Sequence, residues 1–227
     1  TFDGFTISGS FNCGGLIGHD AVKNPQEMKI EGCSSTANGI TVIGGHFDEY
    51  SSDSERFRNG IGSLVGMTFW CRPYIDGKTT TSDVSEIKVH KVSTFYTAEA
   101  GGVNAGGLIG YSGTGAEIKN IRLVGANDDS VIGAPNALNA AGFIAFAQLR
   151  KTDATDNDSS QSIILENCTL YHLSVQAKRS AAGLYGRSWN SQWSVKYINI
   201  NNCAVIGEKG KHEIRAYGNS TDNVHDC

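Results

Sequence analysis

The feature that most constrains the fold is a short glycine-rich motif that occurs five times along the chain. Three copies are close to Gly-Gly-Leu-Ile-Gly and two are degenerate, and they recur at intervals of roughly 35 to 48 residues. The copies are residues 14–18, 62–66, 106–110, 141–145 and 182–186. Recurrence of this kind is typical of repeat proteins, in which each unit buries its apolar face against the next.

A second element follows each copy of the motif. It consists of an apolar residue, two further residues, and then an apolar residue or a cysteine, and it occupies residues 30–33, 89–92, 118–121, 165–168 and 200–203. Apolar and polar residues alternate around it, which is the period of a β-strand and not of a helix. We therefore predict an all-β fold, a parallel β-helix or β-solenoid of about five irregular coils with long loop inserts, in which equivalent strands stack about 4.8 Å apart.

The repeats predict a single solenoid domain over residues 1–227. The units fall near 13–47, 61–97, 105–133, 140–176 and 181–207. Glycine accounts for 28 residues and proline for only 3, which favours a hydrogen-bonded framework with many tight turns. Because the ends of such a stack expose unpaired strands, we expect the domain to be part of a longer chain or to associate with itself through its ends.

Charge and hydropathy argue against two classes of partner. The formal net charge is -4 at pH 7 and the sequence has no run rich in lysine or arginine, whereas binding to nucleic acid needs a positive surface. No apolar stretch approaches the roughly 18 residues that a transmembrane helix requires. We expect neither nucleic acid nor a membrane span.

Three of the six cysteines occupy one position of the repeat. Cys33, Cys168 and Cys203 end the second element, where Val92 and Ile121 stand in the other two units. A position that accepts isoleucine, valine or cysteine is an apolar core position, so we predict that these three cysteines are buried thiols. A disulfide stays open for the irregularly placed cysteines, which are Cys13, Cys71 and Cys227.

Three asparagines precede the last residue of the second element in their units. These residues are Asn120, Asn167 and Asn202. Stacked asparagine side chains hydrogen-bond along the axis of a parallel stack, so we predict an asparagine ladder. Glycosylation of Asn167 is the alternative, because residues 167–169 fit the acceptor pattern.

Both elements are clearest together in residues 105–125, which run from Ala-Gly-Gly-Leu-Ile-Gly through Ile-Lys-Asn-Ile to Leu-Val-Gly. This pattern resembles the GLUG-motif repeats of bacterial surface proteins. The resemblance covers the strands and not the long inserts. It implies a right-handed β-helix, export to the cell surface or the extracellular medium, and adhesion or display. It carries over no functional residue.

Two segments place aromatic rings beside polar side chains, a combination that suits glycan binding because rings stack on sugar C–H groups while amides bond hydroxyls. The first candidate platform consists of Tyr185, Arg187, Trp189, Asn190, Gln192 and Trp193. The second consists of Trp70, Arg72 and Tyr74. For both segments the alternative is that the rings pack against the core.

An acidic loop is the one candidate for a metal. Asp153, Asp156 and Asp158 supply clustered oxygens that suit Ca²⁺, although the sequence lacks the glycine and terminal glutamate of an EF-hand. A solvated loop is the alternative. We expect no other cofactor.

No catalytic motif is present, and the acidic residues are scattered through loops. We therefore predict a non-catalytic extracellular module for adhesion or for binding a ligand, such as a glycan or a protein of a host or cell surface. The alternatives are a purely structural stalk or assembly segment and a β-helix enzyme that degrades polysaccharide.

Overall fold

The computed structural model describes residues 1, 3–9, 12–20, 27–44, 59–94, 103–147, 162–188 and 197–217. All regular elements in these ranges are β-strands, which confirms the predicted all-β class. Every strand pair within the described ranges is parallel. Within the same ranges, no helix has the length and apolarity needed to cross a membrane.

The strands form four sheets, here named A to D. Sheet A contains β2 (Cys13–Gly14), β6 (Asn59–Gly62), β10 (Val103–Gly106), β15 (Asn139–Ala141) and β20 (Ser180–Ala182). Sheet B contains β3 (Ile17–His19), β7 (Val65–Thr68), β11 (Ile109–Ser112), β16 (Ile144–Ala147) and β21 (Tyr185–Ser188). Sheet C contains β4 (Glu27–Glu31), β8 (Arg72–Asp76), β12 (Ala116–Lys119), β17 (Ser162–Glu166) and β22 (Tyr197–Asn201).

Sheet D is wider than the others. Its strands are β1 (Thr6–Ser8), β5 (Ile40–Gly44), β9 (Ser85–Thr94), β13 (Ile121–Gly125), β14 (Val131–Gly133), β18 (Thr169–Tyr171), β19 (Ser174–Ala177), β23 (Ala204–Ile206) and β24 (Ile214–Ala216). The long strand β9 pairs with β13 through its first half and with β14 through its second half. Sheet D therefore divides into two halves, one beginning at β13 and the other at β14.

The chain visits the sheets in a fixed order. Five passes, over residues 13–44, 59–94, 103–133, 139–177 and 180–216, each supply one strand to sheets A, B and C before they reach sheet D. Each pass pairs with the one before it and the one after it. Equivalent residues of successive passes thus form columns that run through the stack.

The glycine-rich motif lies at the turn between sheets A and B. Its first residue forms the column Gly14, Gly62, Gly106, Ala141 and Ala182. Its apolar residues fill the interior, where Leu64, Leu108 and Phe143 are fully buried. The inner residues of sheets C and D, such as Ile118 and Leu123, belong to the same core. Burial of this column from pass to pass explains why the motif recurs.

Glycine is required here because the backbones of sheets A and B touch. A Cβ added to Gly110 would lie 2.1 Å from the Ile61 nitrogen and 2.6 Å from the Gly60 Cα. A Cβ added to Gly60 would meet the Gly66 oxygen at 2.0 Å. All three distances are far below van der Waals contact, so these strands approach closely only without side chains between them.

One predicted copy of the second element is wrong. The column that contains Ile118 continues in the second pass as Ile75, and Ser85 stands opposite Ile121. Val92 instead pairs with Val42 and Ile132 in the second half of sheet D. The cause is an insert over residues 77–84 that separates β8 from β9. Residues 89–92 of β9 match the second element by chance, and this match predicted the wrong register for the second pass.

Candidate functional site

A row of polar side chains covers the outer face of sheet C. On β8 the inward Pro73 and Ile75 are buried while Arg72, Tyr74 and Asp76 alternate with them. On β12 the buried Ala116 and Ile118 alternate with Glu117 and Lys119 in the same way. The register then sets Glu117 beside Tyr74, and Lys119 between Asp76 and Glu166. We call Arg72, Tyr74, Asp76, Glu117, Lys119 and Glu166 the polar face.

Ion pairs link the polar face across three passes. The Lys119 Nζ lies 2.9 Å from Glu117 Oε1 and 3.2 Å from Glu166 Oε2. The Arg72 Nη1 lies 3.3 Å from Glu117 Oε2. Hydrogen bonds to Glu117 and Glu166 raise the pKa of Lys119 to about 12. These side chains are thus oriented before any ligand arrives, which reduces the entropy lost on binding.

Tyr74 and Asp76 form a second cluster at the edge of the polar face. The Tyr74 hydroxyl donates to Asp76 Oδ2 at 3.2 Å, and Asn120 Nδ2 donates to Asp76 Oδ1 at 2.8 Å. Burial opposes ionisation of Asp76, but the hydrogen bonds from Asn120, the Lys78 amide and Tyr74 outweigh it and lower its pKa. Burial and then the charge of Asp76 raise the pKa of Tyr74. The tyrosine is therefore a neutral donor beside a carboxylate.

The predicted asparagine ladder continues from this cluster. Asn167 Nδ2 donates to Asn120 Oδ1 at 2.9 Å, and Asn202 Nδ2 donates to Asn167 Oδ1 at 2.6 Å. All three residues have positive φ, between 49° and 56°, which asparagine tolerates better than most residues. The amide of Asn167 is thus engaged in the ladder.

A groove lies on the other side of the ladder, along the first half of sheet D. Its volume is about 510 Å³, within the usual range for small-molecule sites. Its floor includes Arg122 and Thr169, neighbours in register, and Asn167 and Asn202 line one side. Arg122 also lies over the ring of Tyr171, 5.8 Å from its centroid. The polar face and the groove therefore flank one asparagine ladder.

The second candidate platform is divided by the structure. Arg72 and Tyr74 lie together on the polar face, whereas Trp70 lies in the turn before β8. The Trp70 ring packs edge-on against Phe69, with centroids 5.3 Å apart and planes at 84°. The buried carboxylate of Asp20 accepts hydrogen bonds from the backbone amides of this turn, including Cys71 at 2.6 Å. Asp20 was not singled out from the sequence, and its effect is to fix the turn.

Only two members of the first candidate platform lie in the described ranges. The Tyr185 side chain packs against the main core, and burial raises its pKa. Arg187 follows Phe146 in the column of sheet B and is half-buried; burial, and then the charge of Arg179, lowers its pKa. The other four residues lie outside the described ranges: Trp189, Asn190, Gln192 and Trp193.

The candidate calcium residues Asp153, Asp156 and Asp158 also lie outside the described ranges. Among the residues that the structure describes, no three histidine, cysteine, aspartate or glutamate side chains are placed to hold a metal ion. The candidate therefore stays a prediction from the sequence.

No family model, curated protein or solved structure matches this chain. Most of the site was not predicted from the sequence, including Asp76, Glu117, Lys119 and Arg122. The signal that could have predicted it is the alternation of apolar and polar residues along β8 and β12. The register between these two strands becomes visible once the insert over 77–84 is recognised.

The repeat-position cysteines differ in burial. Cys168 is fully buried, whereas Cys33 and Cys203 are partly buried and pack against the core. All three are thiols. Burial raises the pKa of Cys168 to about 12, and its Sγ donates to the Glu166 carbonyl at 3.3 Å.

We expect Cys168 to resist a thiol reagent in the native protein, because a neutral thiol without solvent access is a poor nucleophile. Cys203, which lines the groove, should react first. Mass spectrometry of alkylated peptides over time would measure both rates, with a denatured sample as the control. Equal native rates for the two cysteines would contradict the prediction.

Stability should also fall above pH 9.0, the ordinary pKa, towards about pH 12, because unfolding then releases the Cys168 proton.

Proposed function

We propose that this chain is a right-handed β-solenoid of five coils that works as a non-catalytic binding or adhesion module outside the cell or on its surface. The parallel columns that link all five passes support the solenoid, since each pass supplies one strand to each sheet. The likeness of residues 105–125 to GLUG-motif repeats supports export and display. Association through the ends of the solenoid is part of the same proposal.

The ligand class that we propose is a glycan. The observation that carries this is the pre-oriented row of Arg72, Tyr74, Asp76 and Glu117 beside a groove of about 510 Å³. Carboxylate, guanidinium and hydroxyl groups in fixed positions bond sugar hydroxyls, and a tyrosine ring offers a stacking surface. The groove supplies further polar groups from Thr169 and Asn202. The polar face lies on strands of sheet C, and strands of sheet D line the groove.

A structural stalk and a polysaccharide-degrading enzyme are the alternatives. On the polar face, Glu117 is paired with two cations, Arg72 and Lys119. Each carboxylate oxygen of Glu117 is thus held by one of the two cations, so neither oxygen is free to exchange a proton with a substrate. Binding without catalysis is therefore the function that this geometry supports best.

We expect Tyr74→Ala to reduce retention of the protein in polysaccharide affinity gels by about tenfold, which corresponds to the loss of one ring contact and one hydroxyl group. The matched control is Tyr217→Ala, because Tyr217 is a partly exposed tyrosine beyond β24, at the far side of sheet D. The control should migrate like the wild type.

Three outcomes separate the alternatives. Retention that depends on Tyr74 but not on Tyr217 supports a glycan module. No retention by any polysaccharide in a broad panel would exclude glycan binding and favour the stalk. Release of reducing ends from a polysaccharide would instead favour the enzyme.

A further inference from the structure

The last pass exposes apolar side chains whose partners in the fourth pass are buried. Ile198 is 50% exposed, Ile200 43% and Val205 46%. Their partners in the fourth pass are Ile163, Leu165 and Leu170, which are at most 1% exposed. The same columns therefore lose nearly all contact with water wherever one more pass lies against them. Five apolar residues of β22 to β24 are about half exposed at this end: Ile198, Ile200, Val205, Ile206 and Ile214.

The hydrogen bonds at the glycine-rich turn all run in one direction. Leu16 N donates to Leu64 O, Leu64 N to Leu108 O, and Leu108 N to Phe143 O. Phe143 N continues the series by donating to Leu184 O at 3.0 Å. At the two ends, this series leaves Leu184 N without an acceptor and Leu16 O without a donor among the described residues. One end of the turn column thus offers a donor and the other end an acceptor.

The N-terminal end exposes one large apolar side chain among the described residues. Leu16, which begins the turn column, is 48% exposed. The column that ends at Ile200 begins at Ile30. Ile30 itself is only 6% exposed, so at this end the turn offers the side chain of Leu16 and sheet C offers the open edge of β4.

Charges on the outer face of sheet C do not oppose contact between the two ends. The columns of Lys29 and Glu31 at the N-terminal end finish at Asn199 and Asn201 at the C-terminal end. Each charged residue would therefore meet a neutral amide. Parallel strands in this register would continue the ladder of the sheet.

We propose that the C-terminal end of one molecule docks onto the N-terminal end of a second copy, head to tail, as one more coil of the same stack. In this contact, Leu184 N of one copy donates to Leu16 O of the next, and Ile200 continues the column of Ile30. The two surfaces are different parts of the molecule, so the contact is heterologous and leaves a free end on each side. It builds open-ended linear assemblies. This proposal rests on the end association proposed above and is independent of the binding of a glycan on the side of the stack.

Sedimentation velocity of the 227-residue chain over a wide concentration range tests the proposal. We expect the average mass of the wild type to rise with concentration and to pass beyond the dimer without a plateau. Leu16→Lys blocks the N-terminal end and Ile200→Lys blocks the C-terminal end, so each variant alone should stay monomeric. An equimolar mixture of the two should form dimers and nothing larger, because each dimer would have two blocked ends.

The matched control is Val84→Lys, since Val84 is 44% exposed but lies in the insert on the side of the stack. It should assemble like the wild type. Thermal unfolding verifies that each variant is folded, and Val205→Lys replaces Ile200→Lys if that variant is not. A monomeric wild type at all concentrations would overturn the proposal, as would dimers of Leu16→Lys alone, which would indicate contact between two C-terminal ends.

Charge changes at Asn199 test the register of the contact. Asn199→Glu should tighten association and Asn199→Lys should weaken it, because the column leads to Lys29 of the next copy. Equal effects of both changes would contradict this register. Retention in polysaccharide gels measured at a concentration where the protein is monomeric keeps this test separate from that of glycan binding.

Discussion

Gly110→Ala is expected to lower the free energy of unfolding by about 3 kcal/mol or more, the upper part of the range for overpacking of a closely packed interior. The added Cβ would lie 2.1 Å from the Ile61 nitrogen, 2.5 Å from the Gly60 carbonyl carbon and 2.6 Å from the Gly60 Cα. All three atoms belong to the backbone, so no side-chain rotation relieves the contact. The strands of sheets A and B would have to separate. Chemical denaturation monitored by circular dichroism measures the change.

Two other variants control for the general effects of the substitution. Gly207→Ala introduces the same methyl group in the last pass, where the nearest atom is the His212 Cβ at 3.1 Å, and it should change stability by less than about 1 kcal/mol. Ala145→Gly removes the methyl group at the position of the fourth pass that is equivalent to Gly110, and it should cost only about 1 kcal/mol. If Gly110→Ala costs no more than these two, the close approach of the backbones does not limit stability.

The glycine-rich motif could be found from the sequence because the close approach that requires it recurs in each pass. A column accepts only small residues wherever two backbones touch, so Gly66 and Gly110, which end their copies of the motif, are visible as part of a pattern. The alternation of strands could be found for a similar reason, because inward residues such as Ile75, Ile118 and Leu165 meet the same core. These are local requirements that repeat, and repetition makes them recognisable.

The polar face could not be predicted in the same way. Its side chains belong to three passes that are distant in sequence, and their contacts depend on register. The insert over 77–84 concealed that register, so Tyr74 was grouped with its neighbour Trp70 and not with Glu117. Many different polar residues are tolerated at each outward position because water can solvate any of them, so no single residue type recurs there. The pairing of Lys119 with Glu117 and Glu166 becomes apparent only when the strands are stacked.

Asn167→Ala is the second substitution with a large expected effect, a loss of about 2 to 4 kcal/mol. The side chain donates to Asn120 at 2.9 Å and accepts from Asn202 at 2.6 Å, and two such bonds contribute about 1 kcal/mol each. The backbone at Asn167 has φ of 52°, a conformation that costs alanine about 1 kcal/mol or more. Urea denaturation of the variant and the wild type, with the midpoint and the slope both fitted, measures the difference.

Two further variants at the same residue separate the backbone from the ladder. Asn167→Gly keeps the positive φ at little cost and removes only the side-chain bonds, so it should be less destabilising than Asn167→Ala by about 1 kcal/mol. Asn167→Asp keeps the acceptor for Asn202 but replaces the donor to Asn120 by a second oxygen, so two acceptors face each other across the ladder. It should therefore be more stable at low pH, where the carboxyl can donate, than at neutral pH. If Asn167→Gly were as stable as the wild type, the backbone conformation alone would account for asparagine here, and the ladder would contribute nothing measurable to the stack.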